Sequence, residues 1–182
     1  MPEPSKKILV VYGTTEGQTA KIAETIGVTL TKRGHRASVF PVEHAPTGAE
    51  LGAYDGIIVG SPVHVGQLSD AVRAWVPHNA SALQGKPSAF FSVCLGVLEK
   101  SEKTQAAERR IVDDFLRETG WNPTVGTIFA GALRYSRYGW LKKQLLRHIA
   151  GKAGGGTDTS RDYEYTNWAE VASFAERFAV GC

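Results

Sequence analysis

Cysteine is scarce in this chain, long apolar runs are missing, and acidic residues are absent where the basic ones gather. Cys94 and Cys182 are the two cysteines among 182 residues, which excludes a disulfide framework, and neither stands in a metal-ligand cluster. The five histidines are scattered without ligand spacing, so no metal is expected. No stretch approaches the roughly 18 apolar residues needed to cross a bilayer. Met1-Pro2-Glu3-Pro4-Ser5 carries no signal-peptide pattern, so the expected compartment is the cytoplasm. The nucleotide loop G-x-x-x-x-G-K-[ST] is absent, and no G-x-G-x-x-G follows the first apolar run. An acidic phospho-acceptor is also missing: Tyr12 and Gly13 end the first such run, and Gly60 and Ser61 end the third. The basic residues form no nucleic-acid motif, and no nucleic-acid partner is expected.

What is present suffices for one core. A hydrophobic content of 42% over 182 residues predicts a single domain spanning 1–182. The net charge of +3 is mild but uneven. Between Arg134 and Lys152 stand Arg134, Arg137, Lys142, Lys143, Arg147 and Lys152, with no Asp or Glu. Such a block fits an anionic partner, and equally a solvated helix face.

Strands and helices alternate along the chain. Apolar, β-branched runs predict strands at 7–12, 36–40, 56–60, 88–93 and 124–130. Between them, four-residue spacing marks helices: Ile22, Ile26 and Leu30 with Ala23; Val72, Trp75 and Val76; and Ala107, Ile111 and Phe115 within 101–119. The first helix is expected to stop at Lys32-Arg33-Gly34. A last helix starts at Asn167, whose side chain and Glu170 suggest a capping box, with Trp168, Val171, Ala172, Ala175 and Phe178 inward. The implied fold is α/β: a three-layer sandwich whose five-stranded parallel sheet takes the order 2-1-3-4-5. An extra segment, about 131–166, interrupts it between the last strand and last helix. There Leu141, Leu145 and Ile149 recur every four residues behind Trp140, predicting a basic amphipathic helix. That helix either packs on the sheet edge or serves a function of its own.

Residues 13–19, Gly-Thr-Thr-Glu-Gly-Gln-Thr, join the first strand to the first helix. Free N–H groups and the positive end of a helix dipole meet there, a ready site for a phosphate. Thr14, Thr15 and Thr19 add hydroxyls, and Gly13 and Gly17 allow close backbone approach. No Lys or Arg lies in the loop, so the phosphate is expected to be held and not transferred. Glu16 must point away, because a carboxylate repels a phosphate. In the order 2-1-3-4-5 the ends of strands one, three and four surround a switch point where ligands bind. The loops concerned are 13–19, 61–66 and 92–99, and their small residues suit a flat phosphorylated cofactor.

The loop Thr14-Thr15-Glu16-Gly17-Gln18-Thr19 resembles the flavodoxin phosphate loop, and the layout resembles the flavodoxin-like fold. The stretches 87–93, 130–138, 155–159 and 165–172 further resemble the bacterial menaquinone-dependent protoporphyrinogen IX dehydrogenases. That resemblance implies FMN as cofactor, with Thr14, Thr15, Glu16, Gly17, Gln18 and Thr19 around its phosphate. Ser61, Pro62, Val63, His64, Val65 and Gly66, and then Ser92, Val93, Cys94, Leu95 and Gly96, would border the flavin ring. His64 is the candidate to stack on the ring or exchange a proton beside it; the alternative is a histidine facing solvent. Cys94 reads as a small buried thiol.

The implied activity is an FMN-dependent oxidoreductase of heme biosynthesis, oxidising protoporphyrinogen IX to protoporphyrin IX with a membrane quinone, menaquinone or ubiquinone, as acceptor. Arg134 and Arg137 would pair with the propionates, and Tyr135, Tyr138 and Trp140 would offer flat apolar contacts. The Trp-led basic helix would touch anionic lipid on the inner face of the cell membrane. An electron-carrier flavodoxin and an NAD(P)H:quinone reductase are the alternatives. The sequence pI near 8.9 and the basic insertion count against the carrier.

Overall fold

The computed structural model describes residues 4–98, 101–152 and 154–182. Strand β1 (Lys7–Tyr12) leads to helix α1 (Gln18–Lys32) and then β2 (Arg36–Pro41). β3 (Gly56–His64) turns back through the short β4 (Gln67–Leu68) into α2 (Asp70–His78) and α3 (Ala80–Gln84). β5 (Ser88–Cys94), α4 (Glu102–Thr119) and β6 (Val125–Ala130) follow. The long strands pair in parallel in the order β2-β1-β3-β5-β6. Numbered without the short β4, this is the expected 2-1-3-4-5.

Alternation along each strand fills both faces of the sheet. Ile8 and Val10 face one way with Ile58, Phe91 and Phe129, against Ile22, Ile26 and Leu30 of α1 and the last helix. Leu9 and Val11 face the other with Ile57, Val59 and Phe90, against Val72 and Trp75 of α2, Phe115 of α4, and Trp121. Each large side chain withdrawn from water contributes about 1.5–3 kcal/mol. The glycine before Ser61 has a packing cause: the Phe91 ring occupies the space a Cβ on Gly60 would fill, in register across the strand pair. Trp121, buried, donates from Nε1 to Ser88 Oγ at 2.9 Å, so its polar atom is satisfied inside the core.

α1 stops where expected: Gly34 adopts φ 91°, and the amides of Gly34 and His35 return to Thr31 O and Leu30 O. The last helix, α6 (Trp168–Gly181), is capped by Asn167, whose side chain accepts from the amides of Ala169 and Glu170. The return bond of a capping box is replaced by one from Asn167 Nδ2 to Glu170 Oε1 at 3.0 Å. Two expectations are corrected. Ala107 is exposed; α4 reaches the core only further along, through Ile111, Val112, Phe115 and Leu116. The segment 61–66 is no loop for most of its length. Ser61 and Pro62 continue the parallel ladder onto Ser92 and Val93, and Val63 and His64 pair with Leu68 and Gln67 as a hairpin.

The insertion is a small unit of its own. β7 (Ala132–Leu133) pairs antiparallel with β8 (Tyr163–Glu164), and a 3-10 turn (Tyr135–Arg137) and α5 (Trp140–Lys152) lie between them. Its core is Leu133, Tyr135, Tyr138 and Ala150, closed by Leu95, Leu146, Tyr163 and Tyr165. The predicted stripe on α5 is real but faces outward: Leu141 is 76% exposed, Leu145 61% and Ile149 48%. Leu146 and Ala150, one position on, make the inward contact. Packing of that stripe on the sheet edge is therefore excluded.

Candidate functional site at the switch point

β1 and β3 are neighbours whose connections leave on opposite sides, which makes this the switch point where ligands bind outside the C-terminal strand ends in open α/β sheets. Gly13 N donates to Gly60 O at 2.9 Å, which pins the two loops together there. Ser61 sits opposite Ser92 and Cys94 opposite Ala130, so the ends of β3, β5 and β6 reach the same edge.

In the loop of residues 13–19, Gly17 N donates to Thr14 Oγ1 at 3.0 Å, closing the turn. Gly17 takes φ 92°, a left-handed conformation that costs a glycine nothing. The first-turn amides of α1, at Gln18, Thr19 and Ala20, have no intrahelical acceptor. Thr15 is exposed and makes no hydrogen bond among the described residues, while Thr19 is buried beneath the loop. This strand–turn–helix, with no Lys or Arg of its own and lined by open amides and hydroxyls, fits a phosphate.

Two of the loop's long side chains turn to the insertion. Gln18 is buried; its Nε2 donates to Thr166 Oγ1 at 2.9 Å and its Oε1 accepts from Arg134 Nη2 at 2.8 Å. Glu16 accepts from the Tyr138 hydroxyl and from Lys142 Nζ at 3.2 Å, and its backbone oxygen accepts from Arg137 Nη1 at 3.1 Å. Burial first, then the Glu16 hydrogen bond, raise the Tyr138 phenol well above its ordinary value, so it stays protonated and donates.

The ring-side residues divide by exposure. Ser61 is buried and its hydroxyl is committed, accepting from Ser69 N at 3.0 Å and donating to Pro62 O at 3.1 Å. Pro62 is buried and Val63 half-buried, whereas His64, Val65 and Gly66 stand out in solvent. Val65 is fully exposed with φ 49° and Gly66 has φ 72°, the pair of positive values that a two-residue hairpin turn demands. For a β-branched residue this is a strained place.

Ser92, Val93 and Cys94 are buried, and Leu95 and Gly96 half-buried. Ser92 Oγ is buried with no hydrogen-bond partner among the described residues. Burial first, then the Glu108 carboxylate, push the Cys94 thiol up to about 12, so it is no thiolate and no nucleophile. Glu108, unremarked in the sequence, packs against Gly96 and takes the thiol's hydrogen bond. Burial raises its carboxyl, with the Cys94 bond opposing. Glu99 lies outside the described residues.

Of the expected substrate contacts, Tyr135 is fully buried, its hydroxyl donating to Gly156 O at 3.0 Å and its ring edge-on to Tyr138 and Tyr163. Tyr138 is 8% exposed, and Arg134 is held by Gln18, Glu164 and Asp162. These three form the insertion's core and its seam with α1. Arg137 and Trp140 remain exposed.

Comparison with known proteins agrees with this geometry. The family model described as a flavodoxin domain matches residues 9–160. The protoporphyrinogen IX dehydrogenase [quinone] of Escherichia coli K12 is 35% identical over 173 residues, covering 95% of this chain and 94% of its own. The enzyme of the same name from Leishmania major is 34% identical over 181 residues, covering 99% of this chain and 78% of its own. Oxidised flavodoxin 1 of Bacillus cereus superposes with a TM-score of 0.60 at 18% identity, covering 97% of this chain and 99% of that one. The chain belongs to the flavodoxin domain family, and within it to the family of quinone-dependent protoporphyrinogen IX dehydrogenases.

Proposed function

We propose that the chain is an FMN-dependent oxidoreductase that oxidises protoporphyrinogen IX to protoporphyrin IX, with a quinone as acceptor. The observation that carries this reading is identity of 35% across 95% of the chain, insertion included, to an enzyme of that name. The open amides at the start of α1, the Thr14–Gly17 turn and exposed Thr15 support a phosphate anchor at residues 14–19. His64, Val65, Leu95 and Gly96 would border the ring, and the Ser92 hydroxyl near the end of β5 is buried with no hydrogen-bond partner among the described residues. FMN, when bound, supplies the two-electron redox chemistry. The chain's own residues position it, and Pro62, Val93 and Cys94 are buried at the ends of β3 and β5.

Among the basic and aromatic residues, Arg137 is the one we assign to a substrate propionate. Its side chain is exposed and spends one N–H on Glu16 O, with Asp162 near enough to feel its charge, which leaves further donors for a carboxylate. Trp140, 72% exposed, would lie flat against an apolar partner. α5 joins an outward apolar stripe to four basic residues, Lys142, Lys143, Arg147 and Lys152, with no acidic residue on the helix, a combination that suits an anionic lipid surface on the cytoplasmic side. A membrane quinone would be met there. Among the described residues no helix is long and apolar enough to cross a membrane.

The test is anaerobic mixing of flavin-loaded protein with protoporphyrinogen IX and a soluble quinone. Porphyrin fluorescence should rise as quinone is reduced. Flavin bound without turnover, or turnover with NAD(P)H alone, would replace this reading by a carrier or a nicotinamide-fed reductase.

A further inference from the structure

Glu16 occupies the middle of an anion-binding loop, where a carboxylate would repel a phosphate and compete for the same amides. Its side chain is 13% exposed and is held from outside the loop, by residues more than a hundred positions away. The Tyr138 hydroxyl donates to Oε2 and Lys142 Nζ reaches Oε1 at 3.2 Å. The orientation of that hydroxyl is itself fixed: its oxygen accepts from Arg134 N at 3.3 Å, which leaves its proton for Glu16. Lys142 also sits 4.3 Å above the Tyr138 ring, and Arg137 grips the Glu16 carbonyl. Tyr138 is 8% exposed within the insertion's core and so cannot swing aside.

We propose that Tyr138 is a positioning residue for the cofactor phosphate: by donating to Glu16 it keeps that carboxylate out of the anion pocket, so phosphate recognition depends on a folded insertion. The inference rests on the FMN reading above. It adds that the insertion is a part of the cofactor site, and that the loop's own acidic residue is tolerable only because of it.

The experiment measures the dissociation constants of FMN and riboflavin by quenching of flavin fluorescence, in wild type, Tyr138→Phe, Glu16→Gln and the double variant. Riboflavin lacks the phosphate and reports the ring subsite alone. Losing a hydrogen bond to a charged group is expected to weaken FMN about tenfold in Tyr138→Phe. Riboflavin should be unchanged. In the Glu16→Gln background Tyr138→Phe should cost nothing, and the tenfold penalty should shrink at high salt. Equal loss of FMN and riboflavin, or FMN binding as in wild type, would overturn the proposal. Glu16→Gln alone, which needs no change in the insertion's core, should bind FMN at least as tightly as wild type; a weaker Kd would overturn it also. Wild type that binds neither flavin would instead bring down the cofactor reading itself.

Discussion

Arg134 Nη2 donates to Gln18 Oε1 at 2.8 Å, joining the insertion to the first turn of α1 across 116 residues of sequence. The same guanidinium nitrogen lies 3.3 Å from Glu164 Oε2, and Glu164 in turn pairs with Lys21 of α1 at 3.0 Å. Gln18, Arg134, Glu164 and Lys21 thus form one seam. Arg134 is mostly shielded, its side chain 19% exposed, so this seam is screened less than a surface ion pair.

Arg134→Ala is therefore expected to loosen the insertion more than the sheet. Leaving Gln18 Oε1 without its donor, while Glu164 keeps Lys21 and Trp168, should cost about 1–3 kcal/mol. Hydrogen exchange should speed up at Leu133 and Tyr163 of the β7–β8 ladder and stay slow at Val10 in β1. Equal acceleration in both would show that the seam supports the whole fold.

Val65 is a β-branched residue at φ 49°, with no packing to compensate. Val65→Asn should raise stability in urea by about 1 kcal/mol, since asparagine tolerates this conformation better. The same variant reads out function. If the hairpin tip borders the flavin ring, flavin affinity will shift together with stability.

The two thiols should be quiet at neutral pH. Burial and Glu108 raise Cys94 from 9.0 to about 12, and burial raises Cys182 to about 11. Ellman's reagent at pH 8 should label native protein slowly and unfolded protein at once. Both folded values lie above the unfolded one, so the thiols' contribution to stability is full below about pH 9 and is lost as pH rises through the folded values. Stability should fall with pH in that alkaline window, and Cys94→Ala should flatten the fall.

Leu141→Glu with Leu145→Glu should abolish co-sedimentation with vesicles containing anionic lipid. Both side chains are already in solvent, at 76% and 61% exposure, so the urea midpoint should move by no more than about 0.5 kcal/mol in free-energy terms. Lys152→Gln, exposed on the same side of the helix, should weaken the same binding by about 1 kcal/mol. Vesicle binding that survives all three changes would remove α5 as the membrane contact.

Periodicity is a local property, and what depends on it was legible in the residues alone. β1 spans Lys7–Tyr12 as its apolar run implies, α1 follows the spacing of Ile22, Ile26 and Leu30, and Asn167 caps α6. The glycines and hydroxyls of residues 13–19 predict a strand–turn–helix with open amides, and the chain forms one there, since that motif needs no distant partner to expose its amides. Orientation was another matter. The stripe Leu141, Leu145 and Ile149 marked a helix but not which way it faces, and tertiary packing through Leu146 and Ala150 turned it outward. Tyr135 and Tyr138 looked like ligand contacts until β8 and the Gly156 carbonyl enclosed them. Ser61 appeared to begin a loop, and Ser92 across the ladder made it strand. Glu16 shows the division within a single residue. Sequence alone required its carboxylate to leave the phosphate site, by charge repulsion. Only the folded chain, bringing Tyr138 and Lys142 from more than a hundred residues away, decided what holds it.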